Sequence, residues 1–235
     1  PAGGGPLGYL EKDLAQDPAN LALATELARA AIELGRSSAD PRFYGQAEAA
    51  LSPWWNVEAP PGDIRILRAT IRQAYHQFDA ALADLDAIIA ANRDDAQALF
   101  TRAFIHMTRG EPATAMQDCK RLADPRLRLV QAICLARAEA LTGHGEDAAM
   151  GLTTAIARAR QSNPAMTKFA LSVLAEIRTG LGDWQAADRY YRQSVAAGSA
   201  GIAEAVAFAD LIIQHGNPAE ALAMLDGRGE SDSVL

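Results

Sequence analysis

The sequence predicts an all-α protein made of about six stacked helix pairs, preceded by one further helix. Hydrophobic residues make up 49% of the chain but aromatic residues only 6%, so most of the apolar fraction is Ala and Leu, which are among the strongest helix formers. Alanines recur in pairs twelve positions apart, and a glycine follows the first alanine of most pairs at a fixed distance. These patterns favour helices that pack closely through small side chains over any β-sheet.

Charge and hydropathy argue against two kinds of partner. The formal net charge is −7, from 29 acidic and 22 basic residues, and no stretch holds five or six clustered Lys and Arg residues. A phosphate backbone would on average be repelled, so we expect no nucleic-acid partner. No run approaches the ~20 apolar residues that span a bilayer, so we expect no membrane insertion. Usage rich in Arg and Ala and poor in Lys suggests a bacterial source, while the compartment, extracytoplasmic or cytoplasmic, is left open.

The N-terminal end is predicted to precede the repeats. Residues 1–8 begin Pro-Ala-Gly-Gly-Gly-Pro and have the composition of a linker. In residues 9–20, Leu10 and Leu14 have the spacing of an apolar helix face, and Pro18 follows as a helix stop. We therefore expect residues 9–20 to form a capping helix or a partial repeat.

A repeat of about 34 residues runs along most of the chain. Its anchors are a small residue followed twelve positions later by Ala, in the pairs Ala69 and Ala81, Ala103 and Ala115, Ala136 and Ala148, Ala175 and Ala187, and Ala209 and Ala221. The first alanines of successive pairs lie 34, 33, 39 and 34 positions apart. Seven residues after each comes a turn residue, His76, Gly110, Gly143, Gly182 or Gly216. Because glycine takes up the left-handed conformation that ends many helices, we expect the helix pairs to turn there and the recurrent alanines to be buried.

An earlier unit fits the pattern if its turn is longer. Ala28 and Ala47 are 19 positions apart instead of 12, while Gly35 keeps the seven-residue spacing. Seven extra residues are therefore expected in the turn, within Arg36 to Gly45, with Ser37 to Asp40 as an exposed loop. Such an insertion is expected to cost little stability, because loop-closure entropy depends only weakly on loop length.

Four aromatic residues lie close to this insertion in the sequence: Phe43, Tyr44, Trp54 and Trp55. Aromatic side chains are enriched at binding hot spots, but they also fill the gap that an insertion leaves between helix pairs. We favour the second interpretation, and we expect Phe43 or Tyr44 to turn back onto the neighbouring helices.

The spacing of small residue, turn glycine, Ala and bulky residue resembles the tetratricopeptide repeat. The similarity covers residues 21–226, which would form the repeat array, with residues 227–235 as a flexible tail. The signature Trp and Tyr of the family's first helix are missing and Ala replaces its Gly, so the individual units are degenerate. The resemblance implies a right-handed α-α superhelix that acts as a protein-interaction scaffold or adaptor and not as an enzyme.

In this family the first helix of each unit lines the concave surface, where partner peptides or helices usually bind. The matching positions lie three before, one after and four after the first alanine. Six of them are predicted to contact a partner: Ile66, Phe100, Phe104, Met107, Ile133 and Arg137. An apolar groove centred on the two phenylalanines would suit an amphipathic helix or a hydrophobic segment, with Arg137 orienting an acidic residue of the partner. The alternative is that these side chains are interior packing.

The sequence offers no candidate for catalysis, cofactor binding or metal binding. No GxSxG, HExxH or P-loop pattern occurs, and nothing singles out a general acid–base couple. The histidines show neither i,i+4 pairing nor a CxxC companion, so we expect them at turns and on the surface: His76, His106, His144 and His215. We therefore expect no catalytic residue, no cofactor and no metal.

The two cysteines are predicted to lie on neighbouring helices, Cys119 on the second helix of one unit and Cys134 on the first helix of the next. Adjacent helices touch, so a disulfide is geometrically possible. We favour the alternative, in which both are free, buried and small apolar side chains.

Two other functions stay open at the level of sequence. The segment could be the regulatory or adaptor part of a larger enzyme, or of a secretion or assembly complex. It could also be a structural module that self-associates weakly, since solenoids with uncapped ends can stack head to tail.

Overall fold

The computed structural model describes residues 7–159, 163–198 and 201–226, and these contain α-helices and no β-strand. The helices are α1 (Gly8–Gln16), α2 (Leu21–Ser38), α3 (Arg42–Ala50), α4 (Ser52–Trp55), α5 (Gly62–Ala74), α6 (Phe78–Ala91), α7 (Ala96–Thr108), α8 (Pro112–Arg121), α9 (Arg128–Ala140), α10 (Gly145–Ala159), α11 (Pro164–Gly180), α12 (Trp184–Ala196), α13 (Ile202–Gln214) and α14 (Pro218–Leu225). The predicted all-α, solenoid-type fold is confirmed. Residues 1–6 of the expected linker and the expected tail, 227–235, lie outside the described residues.

The helices follow one another as the predicted pairs. The six pairs are α2 with α3, α5 with α6, α7 with α8, α9 with α10, α11 with α12, and α13 with α14. Helix α1 packs against α2 ahead of the first pair, and α4 is one short turn that packs against α3. The chain divides into two compact units, one reaching Thr101 and the other beginning at Arg102, so that α7 contributes residues to both.

The recurrent alanines are buried, as the spacing predicted. All ten alanines of the five regular pairs keep between 0% and 3% of their surface exposed, and so do Ala28 and Ala47 of the first pair. A methyl side chain at these places lets two helix backbones approach closely without leaving a cavity. The alanines therefore account for the close packing within each pair.

The predicted turns are also confirmed. Gly110, Gly143, Gly182 and Gly216 all have positive φ, between 75° and 96°, just after the first helix of their pairs. His76 stands at the same place in the α5–α6 turn and has φ 57°, although a side chain makes this conformation costly. The geometry of the turn is thus kept even where its glycine is not.

The prediction of an exposed loop at Ser37 to Asp40 was wrong. Helix α2 is 18 residues long and continues through Ser37 to Ser38, and the next residue, Ala39, has φ 52°. The extra residues of the insertion lengthen α2, so that Gly35 lies inside this helix and not at its end. The ring of Tyr44 lies 3.0 Å from where a Cβ on Gly35 would be. Gly35 therefore serves the close approach of Tyr44, which turns back onto α2 as predicted.

A buried ion pair that the sequence analysis did not predict organises the first unit. Arg68 on α5 and Asp84 on α6 are 4% and 6% exposed, and both guanidinium nitrogens Nε and Nη2 donate to the carboxylate, at 2.9 and 2.6 Å. Arg68 Nη1 also donates to the carbonyl of Trp55, at 2.6 Å, while Arg72 lies 5.5 Å from the centroid of the Trp55 ring. The tryptophan segment is thus fastened to α5 and α6, which supports the interpretation that it fills a gap.

The same pair recurs in the second unit. Arg102 on α7 donates to Asp118 on α8 at 2.7 and 2.6 Å. Both pairs are 16 residues apart in sequence, and the second lies 34 residues after the first. In these two pairs the repeat therefore includes two further residues, an Arg directly before the first alanine and an Asp three residues after the second alanine.

The prediction of two free cysteines was wrong. Cys119 at the end of α8 and Cys134 in α9 form a disulfide, with Cα atoms 5.5 Å apart. Both side chains are fully buried, as predicted. The disulfide forms because the α8–α9 contact brings the two Cα atoms within the range that a cystine can bridge.

Candidate functional site

The ends of α7, α9 and α11 surround a cavity of about 520 Å³ in the second unit. Its walls are mainly apolar, formed by Phe104, Met107, Leu141, Ile177 and Leu181, together with backbone at several glycines. Pockets of roughly 300–1,000 Å³ with apolar walls and a few polar groups are typical of binding sites. Apart from Gly145, the first residue of α10, the lining residues come from the first helix of a pair or from the turn that follows it, so the site is built by three successive repeats.

Three of the six residues predicted to contact a partner meet at this cavity. Phe104 and Met107 on α7 and Arg137 on α9 line it, and all three are half-buried. Phe100 is half-buried and belongs to the first unit.

Two of the predicted contact residues are not available to a partner. Ile133 is fully buried and Ile66 is 6% exposed, so both are helix packing and their prediction as surface residues was wrong. Both occupy the position three before the first alanine, where Ser172 of α11 is also buried. In α7, α9 and α11 the positions one and four after the alanine are half-buried or exposed.

Arg137 holds the polar side of the cavity together. Its guanidinium carbon lies 5.0 Å from the centroid of the Phe104 ring, a cation–π contact. The same guanidinium lies 3.2 Å from a carboxylate oxygen of Glu176 on α11. Arg137 therefore links α7 to α11 across α9, and its charge is already paired by Glu176 in the chain itself.

The rim of the cavity carries two exposed leucines that the sequence analysis did not single out. Leu141 is 59% exposed and Leu181 is 38% exposed, and each lies just before the turn glycine of its pair, Gly143 or Gly182. Large apolar side chains beside one cavity form a patch of the kind that marks interaction sites. The sequence signal that could have predicted this patch is a leucine beside the turn glycine in two successive repeats.

Gly145 makes room for one of these leucines. A Cβ placed on Gly145 would lie 2.9 Å from Leu181 Cδ2, so any side chain there would push Leu181 away from the rim. Gly145 opens α10 and is itself buried. The position of Leu181 at the cavity therefore depends on a glycine in the neighbouring pair.

A packed tyrosine, Tyr191, lies near enough to Glu176 to feel its charge. The Tyr191 ring stacks on Phe208, with centroids 5.1 Å apart, and Tyr191 is 2% exposed. Burial, with the nearby charge of Glu176, raises the pKa of Tyr191 to about 12. The hydroxyl therefore stays neutral at physiological pH and serves as packing, not as an acid or base.

The histidines take part in local contacts. His106 Nδ1 lies 2.6 Å from Glu111 Oε2, and this hydrogen bond, with the charge of Arg109, holds the pKa of the Glu111 carboxyl below its usual value. His215 stacks on Trp184 at 4.4 Å. Within the described residues no group of three or more His, Cys, Asp and Glu side chains could hold a metal ion.

Among the described helices, none is both long enough and apolar enough to cross a lipid bilayer.

No protein-family model matches the chain, and no curated protein matches it either. In structure the chain is similar to a tetratricopeptide repeat protein from Parabacteroides merdae, with a TM-score of 0.68 and 16% identity over 96% of this chain and 86% of that one. It is similar as well to a Rap protein complexed with competence and sporulation factor, with a TM-score of 0.66 and 17% identity over 92% of this chain and 67% of that one.

A thermophilic tetratricopeptide repeat protein of Thermus thermophilus gives the same result, with a TM-score of 0.60 and 18% identity over 84% of this chain and 98% of that one. At identities this low the likeness concerns the fold alone. The fold of this chain is therefore the tetratricopeptide-like array of helix pairs that the repeat spacing indicated.

Proposed function

We propose that this chain is a protein-interaction scaffold that holds an apolar segment of a partner protein in the cavity formed by α7, α9 and α11. The observation that carries the proposal is the cavity itself, whose walls combine Phe104 and Met107 with the exposed leucines of its rim. A folded chain gains nothing in stability from apolar side chains that face water, so such a patch needs another reason.

The cavity fits one or two large apolar side chains of the partner segment. Met107 suits this task because its unbranched, polarisable side chain repacks around different shapes. Phe104 is held in place by the Arg137 guanidinium over its ring, so the partner would meet a wall that is already ordered. Preorganisation of this kind lowers the entropic cost of binding.

An acidic residue of the partner would complete the contact. Arg137 presents its guanidinium beside the cavity, 28% exposed, and pairs with a Glu176 side chain that is 45% exposed. A pair this open to water contributes little to stability, so a partner carboxylate can replace Glu176 on Arg137. The proposed ligand is therefore an amphipathic segment with a large apolar anchor and a neighbouring Asp or Glu. The Rap protein, which shares the fold, is seen with a bound factor.

Selection from a library of displayed random peptides tests the proposal and does not require an identified partner. The full chain is immobilised, selected peptides are synthesised, and their affinity is measured by fluorescence anisotropy. We expect the selected sequences to share a large apolar residue. Phe104→Glu should weaken their binding at least about 30-fold, the loss typical of a hot-spot residue.

The matched control is Phe169→Glu, because Phe169 on α11 is exposed and lies outside the cavity lining. This variant should bind the selected peptides within a factor of about two of the parent chain. Thermal melting of both variants should show an intact second unit, since both positions reach solvent. Equal binding by the Phe104→Glu variant, or its unfolding, would remove the cavity as the binding site.

A further inference from the structure

The disulfide occupies a core position that other helix pairs fill with a bulky residue. Cys119 lies four residues after the second alanine of its pair, where Leu85 and Leu152 stand in other pairs, and all three are almost completely buried. Cys119 alone would fill less volume than leucine. With Cys134 bonded to it, the pair fills the contact between α8 and α9.

Hydrogen bonds join the same two helices at the same place. Gln131 on α9 donates through Nε2 to the carbonyls of Cys119 and Lys120, at 3.4 and 3.2 Å. Both belong to the last turn of α8, and the Cys119 carbonyl also accepts from the N–H of Leu122, at 3.2 Å. The C-terminal end of α8 is thus joined to α9 by the disulfide of Cys119 and by hydrogen bonds to two of its backbone carbonyls.

The disulfide closes a ring of contacts around one wall of the cavity. Arg102 on α7 holds Asp118 on α8 at 2.6 Å, and Asp118 is followed directly by Cys119. Cys134 lies one helical turn before Arg137, and Arg137 lies over the ring of Phe104. Phe104 is two residues from Arg102, so the ring runs from α7 through α8 and α9 back to α7.

We propose that the Cys119–Cys134 disulfide is a staple that positions the Phe104–Arg137 wall of the cavity, and that the chain matures where a disulfide oxidant is present. The two thiols lose two protons and two electrons, and the S–S bond of the oxidant is reduced to two thiols. Structural disulfides of this kind form and persist in oxidising compartments. The proposal concerns how the wall is held and does not depend on which partner the cavity binds.

A thiol count tests the first part. The full chain is produced, folded with oxidised glutathione, unfolded in guanidinium chloride without reductant, and treated with iodoacetamide. Mass spectrometry should find no alkylated cysteine, whereas a sample first reduced with dithiothreitol should carry two alkyl groups. Two alkyl groups in the unreduced sample would overturn the proposal.

Hydrogen exchange, followed by mass spectrometry of peptides, tests the positioning role. Reduction should speed exchange at least tenfold in the part of α7 after Arg102 and in α8, and leave α12 and α13 within about twofold. It should also lower the melting temperature by about 6–12 °C, the shift expected for opening a loop of this length in a chain of this size. If the exchange rate rises evenly over the second unit, or does not change at all, the disulfide does not position the wall.

Two double variants keep the test decisive if the reduced chain unfolds. Cys119→Ala with Cys134→Ala should respond to dithiothreitol in neither measurement, which controls for effects of the reductant. Cys119→Leu with Cys134→Ala refills the core with the residue that other pairs use. It should regain part of the melting temperature while α7 still exchanges fast. Full recovery of α7 protection in that variant would show that packing alone holds the wall, and would overturn the proposal.

Discussion

The ion pairs of this chain differ widely in how far their side chains are exposed to water. Arg68 and Asp84 lie almost without contact to water, and three backbone carbonyls accept hydrogen bonds from the same guanidinium. Asp124 and Arg126 form a pair of similar geometry, but Arg126 is 88% exposed. Removing one partner of a buried pair leaves an uncompensated charge in a poorly solvated place, whereas water replaces a lost surface partner.

Asp84→Asn should therefore cost about 3–5 kcal/mol of unfolding free energy, because Arg68 would lose its counter-charge while staying buried. Asp124→Asn is the matched control and should leave the unfolding free energy almost unchanged, because water replaces the lost partner. Chemical denaturation followed by circular dichroism measures both. If the two variants lose equal stability, the buried pair is not what holds α5 to α6.

The alanines at the helix contacts lead to a second prediction for a single residue. Ala115 on α8 is completely buried, so Ala115→Phe should overpack its contact and cost about 1–3 kcal/mol. Ala113, two residues earlier on the same helix, is exposed, and Ala113→Phe should change the unfolding free energy by less than about 0.5 kcal/mol. Equal melting of the two variants would show that the repeat is misaligned at this pair.

At the level of elements, the turns could be predicted and the length of α2 could not. A glycine seven residues after a buried alanine marks a turn wherever the helix ends at that glycine. Gly35 has the same spacing, yet it lies inside α2. At this place the absence of a side chain leaves room for the ring of Tyr44. A glycine needed for close approach and a glycine needed for positive φ look alike in a single sequence.

Two glycines of one helix pair separate these roles by experiment. Gly143 has φ 86° and Gly151 lies within α10, and a Cβ at either place would meet nothing within 4 Å. Gly143→Ala should destabilise the chain by about 1 kcal/mol through backbone strain, while Gly151→Ala should stabilise it by about 0.5–1 kcal/mol through helix propensity. Thermal melting should show shifts of opposite sign. Shifts of the same sign would contradict the account of the turn.

At the level of the whole molecule, the repeat spacing predicted the fold, but it predicted only part of the lining of the candidate site. Phe104, Met107 and Arg137, which the repeat spacing assigns to one surface, line one cavity, while Ile133 is fully buried. Helical spacing gives the direction of a side chain around the axis, but the neighbouring pair decides how deeply it is covered. The disulfide could not be predicted either, because sequence separation does not fix the distance between two Cα atoms.

Photo-crosslinking tests the proposal that partner proteins bind at the cavity formed by α7, α9 and α11. A benzophenone amino acid is placed at Met107, which lines the cavity, or at Met150 on α10, which is 64% exposed and lies outside its lining. Each chain is irradiated with a peptide from the library selection, and the products are mapped by mass spectrometry. We expect crosslinks from position 107 and none from position 150. Crosslinks from position 150 with none from position 107 would contradict the proposal.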